Sequence, residues 1–210
     1  MIPVKNKCLY KHDKKNRYLF FDQYKKNFIS CISKVNLKKI VAISDELEKI
    51  IKKKKRIFVA GNGGSAAVAN HFLCDFNKGV KLSSGKKIIP RVISLSNSIE
   101  LITAISNDIS YEEVFKSQVE NYIEPGDCLF LMSCSGKSKN IVKLINYYKN
   151  KKVKIILLTG FLKKSSKIKV NHHINVDFQN YGITEDIFSS IMHMISQYLR
   201  FKFSNKKEIL

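Results

Sequence analysis

The 210 residues, 44% hydrophobic and 10% aromatic, suit one globular domain with a sizeable core and exclude a disordered chain. No apolar run approaches the roughly 18–20 residues that cross a bilayer, and the basic N-terminus lacks the apolar core of a signal peptide, so a cytoplasmic protein is expected. The net charge of +21 would draw anions, but only four of the 38 basic residues are arginine, which argues against nucleic acid as the partner.

Residues 1–17 read as a polar arm and residues 18–210 as a single domain. Apolar residues at helical spacing predict helices over Tyr18–Lys34 and Leu37–Lys52. From there short apolar strands alternate with helical stretches. RIFVA (Arg56–Ala60) is a buried-type strand, Ser65–Asn77 a helix, and RVISL (Arg91–Leu95) a second strand. Helices over Ser98–Ser106 and Glu112–Tyr122 follow. Pro125-Gly126-Asp127 turns into a third strand, Cys128–Met132, and a helix covers Ser138–Asn150. A fourth strand (Lys154–Thr159), a short fifth (His172–Val176) and a long helix (Gly182–Lys202) complete the series. The alternation predicts parallel pairing through right-handed crossovers: an α/β fold with a doubly wound parallel five-stranded sheet flanked by helices. The cysteines at 8, 31, 74, 128 and 134 are odd in number and form no CxxC, so reduced thiols are expected.

Ligands of such sheets bind off the carboxyl ends of the strands. Two corners fall there. Gly61-x-Gly63-x-x-Ala66 satisfies the dinucleotide pattern, but the second strand ends in Ser94-Leu95-Ser96-Asn97, with no carboxylate to hold a ribose until Glu100. No Gly-Lys-Ser/Thr follows, so it is not a P-loop either. What survives is a glycine corner feeding a helix N-terminus, with Ser65 near the cap, where an anion can sit. The second corner, Ser133-Cys134-Ser135-Gly136-Lys137-Ser138, offers three hydroxyls, backbone N–H groups and a lysine. Two phosphate-type corners without a nucleotide motif point to a phosphorylated small molecule, and a sugar phosphate is the natural candidate. His71 and Asp75, four apart, project from one helix face, as paired metal ligands or an acid/base pair do. Glu185 and His193, eight apart on the last helix, are offset by roughly 80° and line one broad side. His172 and His173 read as structural or solvent-facing.

Gly61-Asn62-Gly63-Gly64-Ser65-Ala66, His71 with an acid four later, and Ser106-Asn107-Asp108 leading to Tyr111-Glu112 and Phe115 resemble the sugar isomerase (SIS) domain of phosphoheptose isomerases. Glu124-Pro125-Gly126-Asp127 and Ser133-x-Ser135-Gly136-x-Ser138-x-Asn140 fit the same family, and the resemblance runs over residues 35–202. It implies a flavodoxin-like fold and conversion of sedoheptulose 7-phosphate to D-glycero-D-manno-heptose 7-phosphate for surface-polysaccharide heptose. It also implies a homotetramer with active sites between subunits and one zinc ion per subunit. By position, Asn62, Gly63, Gly64 and Ser65 become substrate-loop residues, and Asn107 and Asp108 sugar contacts. Ser133, Cys134, Ser135 and Ser138 become the phosphate cradle. His71, Asp75, Glu185 and His193 become the metal ligands, Glu185 a substrate contact as well, and Asp75 with His193 the catalytic acid/base pair.

The sequence departs from the family where Asp75 stands for a glutamate and Glu185 for a glutamine; Cys134 and Lys137 also replace commoner residues. Two further readings therefore stay open at this point: an isomerase of a different phosphosugar, or a non-catalytic scaffold of the same fold resembling the replication-initiator-associating protein.

Overall fold

A computed structural model describes residues 16–162 and 168–204, so residues 1–15 of the expected arm and the lysine cluster at 163–167 lie outside it. Residues 16 and 17 belong to the first helix: the Asn16 side chain accepts from Leu19 N at 3.0 Å and caps α1 (Arg17–Ser33). Asn36 caps α2 (Leu37–Lys52), which buries Ile40, Ile43, Leu47, Ile50 and Ile51 along one stripe.

Five strands follow: β1 (Arg56–Ala60), β2 (Arg91–Ser94), β3 (Cys128–Ser133), β4 (Lys154–Thr159) and β5 (His172–Asn175). They form one sheet in the order β2-β1-β3-β4-β5, and every pairing is parallel. The sheet is wound outwards in both directions from the gap between β1 and β3, and that gap is the switch point where a ligand is expected. Alternate residues of each central strand face opposite layers. Ile57, Val59, Cys128, Phe130 and Met132 join the core under α1, α2, α3 (Gly64–Cys74) and α8 (Tyr181–Phe203). Phe58, Ala60, Leu129 and Leu131 join the second core under α5 (Ile99–Asp108), α6 (Val114–Glu120) and α7 (Lys139–Tyr148). Strands buried on both faces explain why they read as unbroken apolar runs.

Beyond shifts of one or two residues at element ends, two expected helices differ in the structure. The helix expected over Ser65–Asn77 begins at Gly64 and continues beyond Asn77: α3 passes into a π-helical segment, Asp75–Val80, and then α4, Lys81–Ser83. The Asn77 side chain explains the continuation. Its Nδ2 donates to Val92 O at 2.8 Å, its Oδ1 accepts from Val92 N at 3.0 Å, and the helix is thereby tied to the edge strand β2. The helix expected over Glu112–Tyr122 is a 3-10 turn, Tyr111–Glu113, followed by α6.

α3 and α8 lie side by side and rise together. Glu185 meets Ser65, His193 meets His71, Ser196 meets Asp75 and Arg200 meets Ser83. Each contact stands further along both helices, so the two are parallel with their N-termini at the same end. Among the described residues no helix is long and apolar enough to cross a membrane, and the cysteines at 31, 74, 128 and 134 are free thiols.

Candidate active site

The two corners meet at the carboxyl ends of β1 and β3 around a pocket of about 400 Å³. Asn62, Gly63, Gly64 and Ser65 line one side, and Ser133, Cys134, Ser135 and Ser138 the other, with Met132, Tyr181 and Glu185 completing it. The corners are braced against each other. Asn62 Nδ2 donates to Asn140 Oδ1 at 2.9 Å, and Asn140 Nδ2 donates back to Asn62 Oδ1 at 3.0 Å. Tyr111 donates to the same Asn62 oxygen at 2.9 Å, so this amide is spent on holding the loop.

The serine corner is the better anion site. Ser138 stands at the N-cap of α7 without using its side chain as a cap, and its hydroxyl lies 3.1 Å from that of Ser133. Hydroxyls beside a helix N-terminus, with its unpaired N–H groups and positive dipole end, suit phosphate oxygens. Gly136 turns the corner at φ +65°, a left-handed conformation that favours glycine, and a Cβ there would crowd Leu162 Cδ1 at 2.6 Å. Lys137 is exposed and outside the pocket lining, so the point charge expected from it is not aimed at the cradle.

The glycine corner is already occupied by the protein's own carboxylate. Ser65 does not cap its helix; Gly63 takes the N-cap position, and Ser65 Oγ donates to Glu185 Oε1 at 3.3 Å. The Glu185 carboxylate comes so close to Gly64 that a Cβ there would overlap it. Cys134 Sγ donates to Glu185 Oε1 at 3.7 Å. Burial pushes the Cys134 thiol up to about 12, so it lines the pocket as a neutral group and not as a nucleophile.

Burial also raises the Glu185 carboxyl above its ordinary value, against smaller opposing effects of the Cys134 and Ser65 hydrogen bonds. A carboxyl raised by folding costs stability once the pH passes the unfolded-state value, and costs nothing below it. Glu185→Gln is therefore expected to be more stable than the parent in urea at pH 7, with the difference vanishing near pH 4. A midpoint at pH 7 equal to or below the parent's would contradict this.

His71, Asp75 and His193 come together further along the α3–α8 pair. Their candidate ligand atoms all lie within 4.8 Å of one another. His71 Nε2 stands 3.5 Å from Asp75 Oδ1, His193 Nε2 stands 3.7 Å from Asp75 Oδ2, and the two imidazoles approach to 3.5 Å. Ser196 Oγ donates to Asp75 Oδ2 at 2.9 Å and fixes the carboxylate. Two imidazoles and a carboxylate are the donor set of an open zinc site, which keeps a position for substrate. The set fits the metal. Glu185, expected as a fourth ligand, is not brought to it: the carboxylate is held at Ser65, and eight residues of helix, about 12 Å of rise, separate it from His193.

Asn107 and Asp108 sit exposed at the end of α5, Asn107 Nδ2 donating to Asp108 Oδ1 at 2.8 Å, and neither lines the pocket. His173 is structural as expected, with Nε2 2.8 Å from Thr159 Oγ1; His172 stands 3.7 Å from Glu46. Two contributors escape a reading by motif, Tyr181 as pocket wall and Ser196 as the support of Asp75, and Asn140, though part of the serine motif, is not marked by it as the strut. Tyr181 and Ser196 were legible only by spacing, four before Glu185 and three after His193 on the same helix.

Comparison with known proteins agrees with this geometry. The SIS domain family matches residues 20–160. A probable phosphoheptose isomerase of Thermoplasma acidophilum is 34% identical over 169 residues, 80% of this chain and 91% of that protein. One from Thermoplasma volcanium is 31% identical over 163 residues, 77% of this chain and 81% of that protein. The solved phosphoheptose isomerase of Neisseria gonorrhoeae has the same fold, with a TM-score of 0.73 at 22% identity over 87% of this chain and 97% of that one. By sequence and by fold, the chain belongs to the SIS-domain family, among the phosphoheptose isomerases.

Proposed function

We propose that the chain is an aldose–ketose isomerase that converts sedoheptulose 7-phosphate to D-glycero-D-manno-heptose 7-phosphate through an enediol. One observation carries the reading: an anion cradle at the N-terminal end of the parallel α3–α8 pair, with an acid/base cluster further along the same pair. By helix rise, Glu185 of the pocket wall and His193 of the cluster are about 12 Å apart. An extended chain gains ~1.2 Å per bond, so phosphorus and C1 are separated by ~10 Å in a heptulose 7-phosphate and only ~7 Å in a pentulose 5-phosphate. Of the two, the seven-carbon sugar comes closer to that span.

In this reading the Ser133, Ser135 and Ser138 hydroxyls and the first N–H groups of α7 hold the phosphate. Anchoring one end makes the proton transfers at the other intramolecular. Asp75 removes the proton from the carbon beside the carbonyl and returns it to the neighbouring carbon, while His193 moves the proton between the two oxygens. A zinc ion held by His71, Asp75 and His193 would supply Lewis-acid polarisation of those oxygens.

The reading includes a homotetramer with active sites between subunits. In the single chain the side chains of His71 and His193 are 55% and 44% exposed, open for an acid/base site. Tyr18, Phe21, Ile29, Met194, Tyr198 and Phe201 are exposed on α1 and α8, an apolar surface that a second copy would cover. Asn107 and Asp108 enter the substrate contacts in that setting. The free thiols fit a cytoplasmic one.

The test is a coupled assay across pentulose 5-, hexulose 6- and heptulose 7-phosphates, with and without chelator, on protein whose mass is measured by light scattering. The highest kcat/KM is expected for the heptulose phosphate, from a particle of four chains, with activity falling on chelation and returning with zinc. Preference for a shorter sugar would overturn the substrate assignment, and turnover of none would overturn the enzyme.

A further inference from the structure

Between the pocket and the His71–Asp75–His193 cluster runs a stretch of the α3–α8 groove to which no role has been given. Glu185 against Ser65 bounds it at one end, and His193 against His71 at the other. On α8, positions 185, 189 and 193 follow at i, i+4 and i+8, and so form one stripe that drifts by about 40° per step. Ser189 thus stands halfway along the groove, about 6 Å of helix rise from either end. It is half-buried. At the matching level of α3 stand Ala67 and Val68, which bring no polar side chain.

The neighbouring serine behaves in the usual way of helical hydroxyls. Ser190 Oγ donates back to Asp186 O at 2.9 Å, as Ser106 does to Ile102 and Thr103 to Ile99. Ser189 makes no such bond, nor any other among the described residues. A half-buried hydroxyl left unspent, midway between Glu185 at the pocket wall and the groups that would move protons, is placed to meet a polyol.

Resting on the phosphosugar reading above, we propose that Ser189 is a specificity-determining residue that hydrogen-bonds a mid-chain hydroxyl of the open-chain substrate. It would hold a long sugar straight between its anchored phosphate and its reacting end. A sugar too short to cross the groove would gain nothing from it.

The test compares the parent with Ser189→Ala, Ser189→Val and Ser189→Thr. Each is assayed with sedoheptulose 7-phosphate and with inorganic phosphate as a competitive inhibitor. Loss of one hydrogen bond to a bound hydroxyl predicts a roughly tenfold rise in KM for Ala and Val with little change in kcat. Thr, with the shape of Val and a hydroxyl, should stay within about threefold of the parent. Inhibition by phosphate, which uses only the cradle, should not move. Parent-like KM in Ala and Val overturns the inference while the isomerase reading stands. So does a parallel loss of phosphate inhibition, which would mark a structural fault. An inactive parent overturns the isomerase reading, and this inference with it.

Discussion

Asp75→Asn is expected to lower heptulose phosphate turnover by about 10²–10⁴-fold, the range in which a positioned general acid or base contributes. The substitution keeps the size of the side chain and an oxygen to accept the 2.9 Å bond from Ser196, so the local packing has no reason to change. What it removes is the charge that would take a proton and one of the three donors gathered within 4.8 Å. His193→Gln should do comparable damage by a different route, since an amide cannot carry a proton between sugar oxygens at neutral pH. Asp75→Glu restores a carboxylate one methylene longer and should keep more activity than Asp75→Asn. Steady-state isomerisation, with thermal unfolding measured alongside, decides the matter. If Asp75→Asn or His193→Gln turns over like the parent while remaining folded, the acid/base assignment is wrong.

The sheet was legible because its signal is local. Ile57 to Ala60 and Leu129 to Met132 are apolar without a break, which only strands buried on both faces require, and the structure buries them on both. The helices capped by Asn16, Asn36 and Asn180 follow from the same kind of short-range rule. The continuation of α3 was not legible, because its cause is a tertiary bond: Asn77 reads as a helix terminator until β2 supplies Val92 N and O as partners. At the site, the pairing of His71 with His193 joins residues 122 apart, and only the parallel run of α3 and α8 brings them to 3.5 Å. Sequence spacing put Glu185 and His193 on one side of a helix, correctly as to direction. It carried no information on distance along the groove, and that distance is what assigns Glu185 to the pocket end and leaves three residues at the other.

Phe72→Ala should be the most costly of the structural substitutions, at about 3–5 kcal/mol. Phe72 is 1% exposed and stacks on Phe76 with ring centroids 4.1 Å apart and an interplanar angle of 10°. It also meets Phe130 of the central strand β3 at 5.0 Å. These rings seat the inner face of α3 on the sheet, while His71, the preceding residue, projects from the outer side. Truncation leaves a cavity that neighbours on a rigid strand cannot collapse to fill, so the cost includes both the lost transfer energy and the void. For a domain whose total stability is about 5–15 kcal/mol, that is a large share of it. The site should suffer before the chain unfolds, because α3 carries Ser65 and His71 and leads into Asp75, which work only against their partners on α8. Phe72→Leu retains most of the volume and should cost about 1.5 kcal/mol or less, with activity near the parent's. Urea unfolding of the three proteins, with turnover measured well below the transition, separates the two effects. A loss under about 1 kcal/mol for Phe72→Ala would mean that α3 is held by something other than this aromatic seat, and the Arg200–Ser83 hydrogen bond further along would then be the place to look.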